Sequence, residues 1–215
     1  MRAIDPAYYE HLYKTLTILP GKEGECRTAA MKVLRGKARY QNAGALCGAP
    51  WEVIGIIHLM ESGCSFNRQI VNGEFWNLKT RLYPPNLGPW DSWEDAAFSG
   101  MMRFRKRFPA VWSVGTIGLF LERWNGMGYA SREVNSPYLW SMSNHGEGAG
   151  KFVSDGKYDA SAVSDQVGAM VALSLIEEME NGQRVVAAGS PPVLPMRVAE
   201  VARRRAYMPG AGSNN

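Results

Sequence analysis

The stretch Ala49-Pro50-Trp51-Glu52-Val53-Ile54-Gly55-Ile56-Ile57-His58-Leu59-Met60-Glu61-Ser62-Gly63 decides how the rest of the chain is read. Proline suits the threshold of a helix, where its missing N–H costs nothing. Trp51, Val53, Ile54, Ile56, Ile57, Leu59 and Met60 then leave hardly any polar stripe, and a helix that is apolar on nearly every side belongs inside a body. Gly63 is a natural stop. Glu61 is the one acid in the second half of this segment, three positions beyond His58 and on the same face. Apolar surroundings disfavour an ionised carboxylate, so its pKa is expected to rise. A carboxylic acid that is neutral near pH 7 can protonate a departing oxygen. The same glutamate equally suits a helix end turned to solvent or paired with a base. His58 also has two readings: a residue lining a cleft, or a satisfied histidine of the core.

Upstream, Asp5-Pro6 opens a helix expected to run to about Ile18, stopped by Pro20-Gly21. A second helix is expected from Glu23 to Leu34, before Gly36. Downstream, residues 63–90 turn rich in Gly, Asn and Pro. Asn72-Gly73 between short β-type runs such as Arg68-Gln69-Ile70-Val71 predicts a hairpin and a small β-lobe. Ser92-Trp93-Glu94-Asp95 reads as a helix cap, with the helix reaching about Phe108. Another helix spans about Val114 to Trp124 and stops at Gly126. A loop covers 126–159. The last long helix is expected from Ala162 to Glu180, with Val163, Val167, Met170, Val171 and Ser174 along one face. The expectation is an α+β, mainly α fold: one catalytic domain over 1–182, with N-terminal helices at 5–36 packed on it. A basic Pro/Gly-containing extension follows over 183–215, holding a short helix from Arg197 to Tyr207. Two lobes with a groove between them suit a polymer.

Composition narrows the partners without naming one. The 215 residues are 46% hydrophobic and 20% charged, the balance of a folded soluble domain. A net charge of +4 favours anionic partners in general. The runs Arg103-Phe104-Arg105-Lys106-Arg107 and Arg203-Arg204-Arg205 suit helix ends as well as any ligand. Three cysteines, Cys26, Cys47 and Cys64, lack the paired spacing of a disulfide framework or a zinc site and read as reduced thiols. Met1–Pro6 has no apolar signal core, which suggests synthesis in a cytoplasm without a signal peptide. No apolar run approaches the ~18 residues of a membrane span. Ser62 lacks the Gly-x-Ser-x-Gly elbow of a serine hydrolase.

Two groups of residues extend the candidate site. Glu74, just after Asn72-Gly73, would face Glu61 across a groove and give a pair of carboxyls flanking a sugar bond. Thr80, six positions on, would hold a water. An exposed turn acid and an ordinary strand threonine are the alternatives. The segments Trp124-Asn125-Gly126-Met127-Gly128-Tyr129 and Ser136-Pro137-Tyr138-Leu139-Trp140-Ser141 carry the aromatic and amide groups that hold sugars. Asn125, Tyr129, Tyr138 and Trp140 are therefore candidates for substrate binding, with Trp76 and His58 beside them. Aromatic core under a loop is the competing reading.

The run Pro50-Trp51 to Glu61-Ser62-Gly63, with Phe66 after it, resembles the catalytic helix of lysozyme-like peptidoglycan hydrolases, among them soluble lytic transglycosylases and goose-type lysozymes. Trp124 to Tyr129 is similar to the glycan-binding segments of that superfamily. Ser136-Pro137-Tyr138-Leu139-Trp140 with Lys151-Phe152-Val153-Ser154-Asp155-Gly156 looks like a phage and bacterial branch of it. The resemblance covers about residues 50–175. Phage-type lysozymes follow their Glu with an Asp nine positions on and a Thr six further. Here the first gap is thirteen and the middle acid is Glu74, with Asp91, Glu94 and Asp95 as lower-ranked substitutes.

The resemblance implies a lysozyme-like fold and cleavage of the β-1,4 bond between N-acetylmuramic acid and N-acetylglucosamine. Glu61 would be the acid, and Glu74 with Thr80 would serve water. It implies no metal or cofactor, peptidoglycan strands as partner in place of nucleic acid or a stable membrane insertion, and a monomer. It also implies a phage endolysin, made in the host cytoplasm and reaching the wall after release. A lytic transglycosylase using Glu61 alone, a chitinase or chitosanase, and a non-catalytic wall-binding or virion protein are the alternatives.

Overall fold

The computed structural model describes residues 5–154 and 156–186, with side chains of residues 183–186 left aside. The expected helix at Arg197–Tyr207 and the 183–215 extension lie, almost entirely, outside the described residues. By contacts the chain divides after Asn181. The unit before that point is mainly helical, with one small antiparallel sheet: an α+β, mainly α architecture.

The apolar segment forms helix α4 (Trp51–Ser62), and its residues Val53 to Met60 are all buried. Each large aliphatic side chain withdrawn in this way stabilises the fold by about 1.5–3 kcal/mol. Gly63 ends the helix in the left-handed region, its N–H returning to the turn before it. Around α4 pack α2 (Glu23–Arg35) and α3 (Lys37–Cys47), while α1 (Pro6–Lys14) lies against α6 (Val114–Asn125). The remaining helices are α5 (Trp93–Arg103), the single turns α7 (Gly128–Ser131) and α8 (Pro137–Trp140), and α9 (Ala169–Val186). Local chemistry explains the starts. The Asp5 carboxylate accepts from Tyr8 N at 3.0 Å, Ser92 Oγ accepts from Asp95 N at 3.1 Å, and Ser113 and Thr116 close a reciprocal capping box.

Four expectations are corrected. Helix α1 stops at Lys14, because residues 17–19 find partners elsewhere: Thr17 N donates to Asn144 Oδ1, Ile18 bridges Ser143, and Leu19 N donates to Met142 O. The second helix ends before Gly36, its C-cap, as expected, and a further helix, α3, begins at the next residue. A Cβ on Gly36 would lie 2.6 Å from the Tyr40 ring and 2.8 Å from Phe66, so this glycine also permits close packing. Asn72-Gly73 turns the chain, but its flanks form only the isolated bridge Arg68–Phe75 and no hairpin. The sheet lies instead at β1 (Lys151–Ser154) and β2 (Lys157–Asp159). Finally, α9 starts at Ala169, not at Ala162; residues 160–168 form an irregular strap on which Val163 is 80% exposed. Helix α5 also ends early, at Arg103, with a 3-10 turn at Arg105–Arg107.

Candidate active site

Glu61 sits in the last turn of α4, half-buried. Two aromatic residues meet its carboxyl. Trp124, at the end of α6, donates from Nε1 to Glu61 Oε1 at 3.3 Å. Its indole is held there by stacking on Phe104, ring centres 4.2 Å apart. Tyr138, in α8, is half-buried as a residue, yet its hydroxyl is sealed from solvent and has no well-formed hydrogen bond. That oxygen still lies close enough to Glu61 for each group to perturb the other. Burial pushes the Glu61 pKa up to about 7, against a smaller downward pull from Trp124 and Tyr138. Burial first, then the neighbouring Glu61 carboxyl, holds the Tyr138 phenol well above its ordinary value. Glu61 therefore carries its proton to near neutrality and can give it to an oxygen brought beside it.

The depression next to this group has a volume of about 510 Å³ and includes Asn125, Tyr129, Tyr138, Lys151, Phe152 and Gln166 in its wall. Tyr129 Oη accepts from Phe152 N at 3.0 Å, and their rings meet edge to face. A second depression, of about 620 Å³, lies on the α2 side and counts Glu61 and Gln166 in its wall. Gln166 belongs to both, its side-chain amide donating to Met60 O at 2.6 Å. Asn125, Tyr129 and Tyr138 thus line one depression, and Tyr138 connects it to Glu61.

The other candidates stand apart. The Glu74 carboxylate is turned back into its own loop, accepting from Arg81 N at 3.0 Å, Leu82 N at 2.9 Å and Asn72 Nδ2 at 3.1 Å. Thr80 is buried; its hydroxyl donates to Pro84 O at 2.7 Å and accepts from Leu87 N at 2.9 Å. Both residues line a depression of about 640 Å³ that does not include Glu61. The turn nevertheless packs directly on the end of α4. Gly73 has φ +72°, and a Cβ there would lie 2.5 Å from the Glu61 carbonyl oxygen, so only glycine fits. Trp76 is half-buried against the core and donates from Nε1 to Phe66 O at 2.8 Å.

His58 and Trp140 are corrected as substrate-binding residues. His58 is wholly buried among Tyr40, Phe66 and Trp93. Its Nε2 donates to Ser65 O at 3.0 Å, and its Nδ1 accepts from the Tyr40 hydroxyl at 2.9 Å. Burial lowers its pKa to about 4. Trp140 has no exposed surface, so no glycan reaches its ring. In both, packing on the inner face of an element outweighs the chemistry the side chain could offer.

Three residues of the site were not singled out from sequence. Trp124 is the direct partner of Glu61, although its segment had drawn attention as glycan-binding. Phe152 and Gln166 entered no candidate set, the second because its strap was read as part of a helix. Among the described residues no group of His, Cys, Asp and Glu side chains could hold a metal ion. No family model, curated protein or solved structure matches this chain.

The Glu61 environment has a direct kinetic consequence. Tyr138→Phe removes a hydroxyl that favours the carboxylate, so the Glu61 pKa should rise further. The alkaline limb of any Glu61-dependent pH–rate profile should then move to higher pH. A limb unmoved, or moved towards acid, would contradict this role for Tyr138.

Proposed function

We propose that this chain is a peptidoglycan-cleaving glycosidase of lysozyme-like architecture, an N-acetylmuramidase of the endolysin kind. The bond cut is the β-1,4 link between N-acetylmuramic acid and N-acetylglucosamine. The observation that carries this reading is Glu61, a carboxyl whose pKa is raised to about 7, set under Trp124 and Tyr138 beside an aromatic and amide-lined depression. The protonated carboxyl gives its proton to the glycosidic oxygen as the C1–O bond breaks. Positive charge at C1 spreads onto the ring oxygen. The Glu61 carboxylate so formed takes a proton from the nucleophile that attacks C1. In the hydrolytic reading that nucleophile is water. The choice of peptidoglycan, and the release of the protein from a bacterial cytoplasm to act on the wall, are supported by the resemblance of residues 50–175 to that superfamily.

A second reading, a lytic transglycosylase, is favoured by a separate observation. Glu74 and Thr80 are already engaged by backbone groups of their own loop, which leaves Glu61 as the acid and then the base. The nucleophile is then the muramic sugar's own hydroxyl, and an anhydro ring closes. Mass spectrometry of products from purified sacculi separates the two. Reducing ends support the muramidase, and Glu74→Gln slowed by on the order of 10²–10⁴ would add Glu74 to the groups that activate its water. Anhydro ends, with Glu74→Gln near the parental rate, support the transglycosylase. Sacculi left uncut by folded protein would leave a wall-binding role and reject both.

A further inference from the structure

Four of the large apolar side chains exposed among the described residues fall within nine positions: Phe75, Leu78, Leu82 and Tyr83. Tyr83 is 89% exposed and Leu82 60%. Exposed apolar groups scattered singly need no explanation, but a cluster does. This cluster is interleaved with cations. Lys79 and Arg81 are exposed between the apolar tips, and the Arg68 guanidinium lies over the Phe75 ring at 4.7 Å. The three cations line the depression of about 640 Å³ at the base of the loop. Between Ser62 and Trp90 the only acid is Glu74, whose carboxylate is taken up by Arg81 N, Leu82 N and Asn72 Nδ2. The loop is also well fixed. Thr80 clamps it to Pro84 and Leu87, so its apolar tips project from a fixed frame.

Leucines at 78 and 82 offer neither flat faces nor hydrogen bonds to a sugar. Three cations against the one Glu74 carboxylate, beside projecting aliphatic and aromatic tips, match a surface that is anionic outside and apolar beneath. We propose that the 75–83 loop docks the protein peripherally on a bilayer rich in anionic phospholipid. Leu78, Leu82 and Tyr83 enter the interfacial layer, while Lys79, Arg81 and Arg68 meet lipid phosphates. No spanning segment is involved; among the described residues no single helix is long and apolar enough to cross a membrane. This inference stands independently of the cleavage reading.

The test is flotation of the full chain with vesicles of phosphatidylglycerol and phosphatidylcholine, against vesicles of phosphatidylcholine alone. The full chain should float with the anionic vesicles, less so at high salt, and not with the neutral ones. The triple variant Leu78→Ser, Leu82→Ser, Tyr83→Ser should lose partitioning by at least about tenfold, with its melting temperature kept. Lys79→Glu with Arg81→Glu should do the same through charge. Both variants retain Arg203–Arg205, so undiminished flotation would assign binding to another part of the chain and overturn the proposal. No flotation by the parent, equal flotation with both vesicles, or a triple variant impaired only on sacculi would overturn it equally.

Discussion

Replacing Glu61 by Gln should lower the rate of sacculus clearing by on the order of 10²–10⁴ while leaving the protein folded. The amide keeps the shape of the side chain and still offers an oxygen to Trp124 Nε1, which donates at 3.3 Å in the parent. What it cannot do is hand over a proton. The parental rate should be flat in acid and fall as pH rises through about 7, the pKa to which burial lifts this carboxyl. Clearing of sacculi by the folded Gln variant at close to the parental rate would remove Glu61 from the chemistry.

The second large effect is on stability, and its sign depends on pH. Glu61 titrates near 4.5 without its folded surroundings and near 7 within them. Below pH 4.5 both folded and unfolded chains hold the proton, and the stabilisation linked to it is fully present. Between pH 4.5 and 7 the unfolded chain releases the proton while the folded chain keeps it, so stability is lost as pH rises, by ~3 kcal/mol in all. Glu61→Gln escapes that loss. It should therefore melt higher than the parent at pH 8, and the gap should close towards pH 4.5. His58 acts in the opposite direction from the same helix. Its folded pKa of about 4 lies below the ordinary 6.5, so its contribution is full above pH 6.5 and is lost as pH falls through 4, again by ~3 kcal/mol. In the Gln variant this acid limb should stand out. Thermal melts of both proteins from pH 4 to 9 check this. Parallel profiles would contradict a raised pKa at Glu61.

The core helix and its acid were legible in the sequence because both follow from local pattern. An all-round apolar run bounded by Pro50 and Gly63 has few alternatives, and Asp5, Ser92 and Gly63 act as caps through atoms within one turn of themselves. Features set by distant partners were not legible. Gly36 reads as a stop and does end α2, but the crowding of its α-carbon by Tyr40 and Phe66 has no local signature. Asn72-Gly73 does turn the chain, and Gln69 N and Trp76 N pair across it, but the pairing goes no further: Arg81, Leu82 and Leu87 give their N–H groups to the Glu74 and Thr80 side chains. Gln166 sits in a strap whose apolar neighbours mimic helical spacing. The site shows the same division. Asn125, Tyr129 and Tyr138 line the depression next to Glu61, whereas His58 and Trp140 are buried in the core. A side chain's type could be read in advance, but the face it turns to depends on which elements pack together.

The most direct test of Glu61-driven glycan cleavage is mass spectrometry of the material released from purified sacculi by the parent and by Glu61→Gln at equal concentration near pH 6. Disaccharide–peptide fragments are expected from the parent and none above background from the folded variant; release of the same fragments at the same rate by both, or none by the folded parent, would contradict Glu61-driven cleavage.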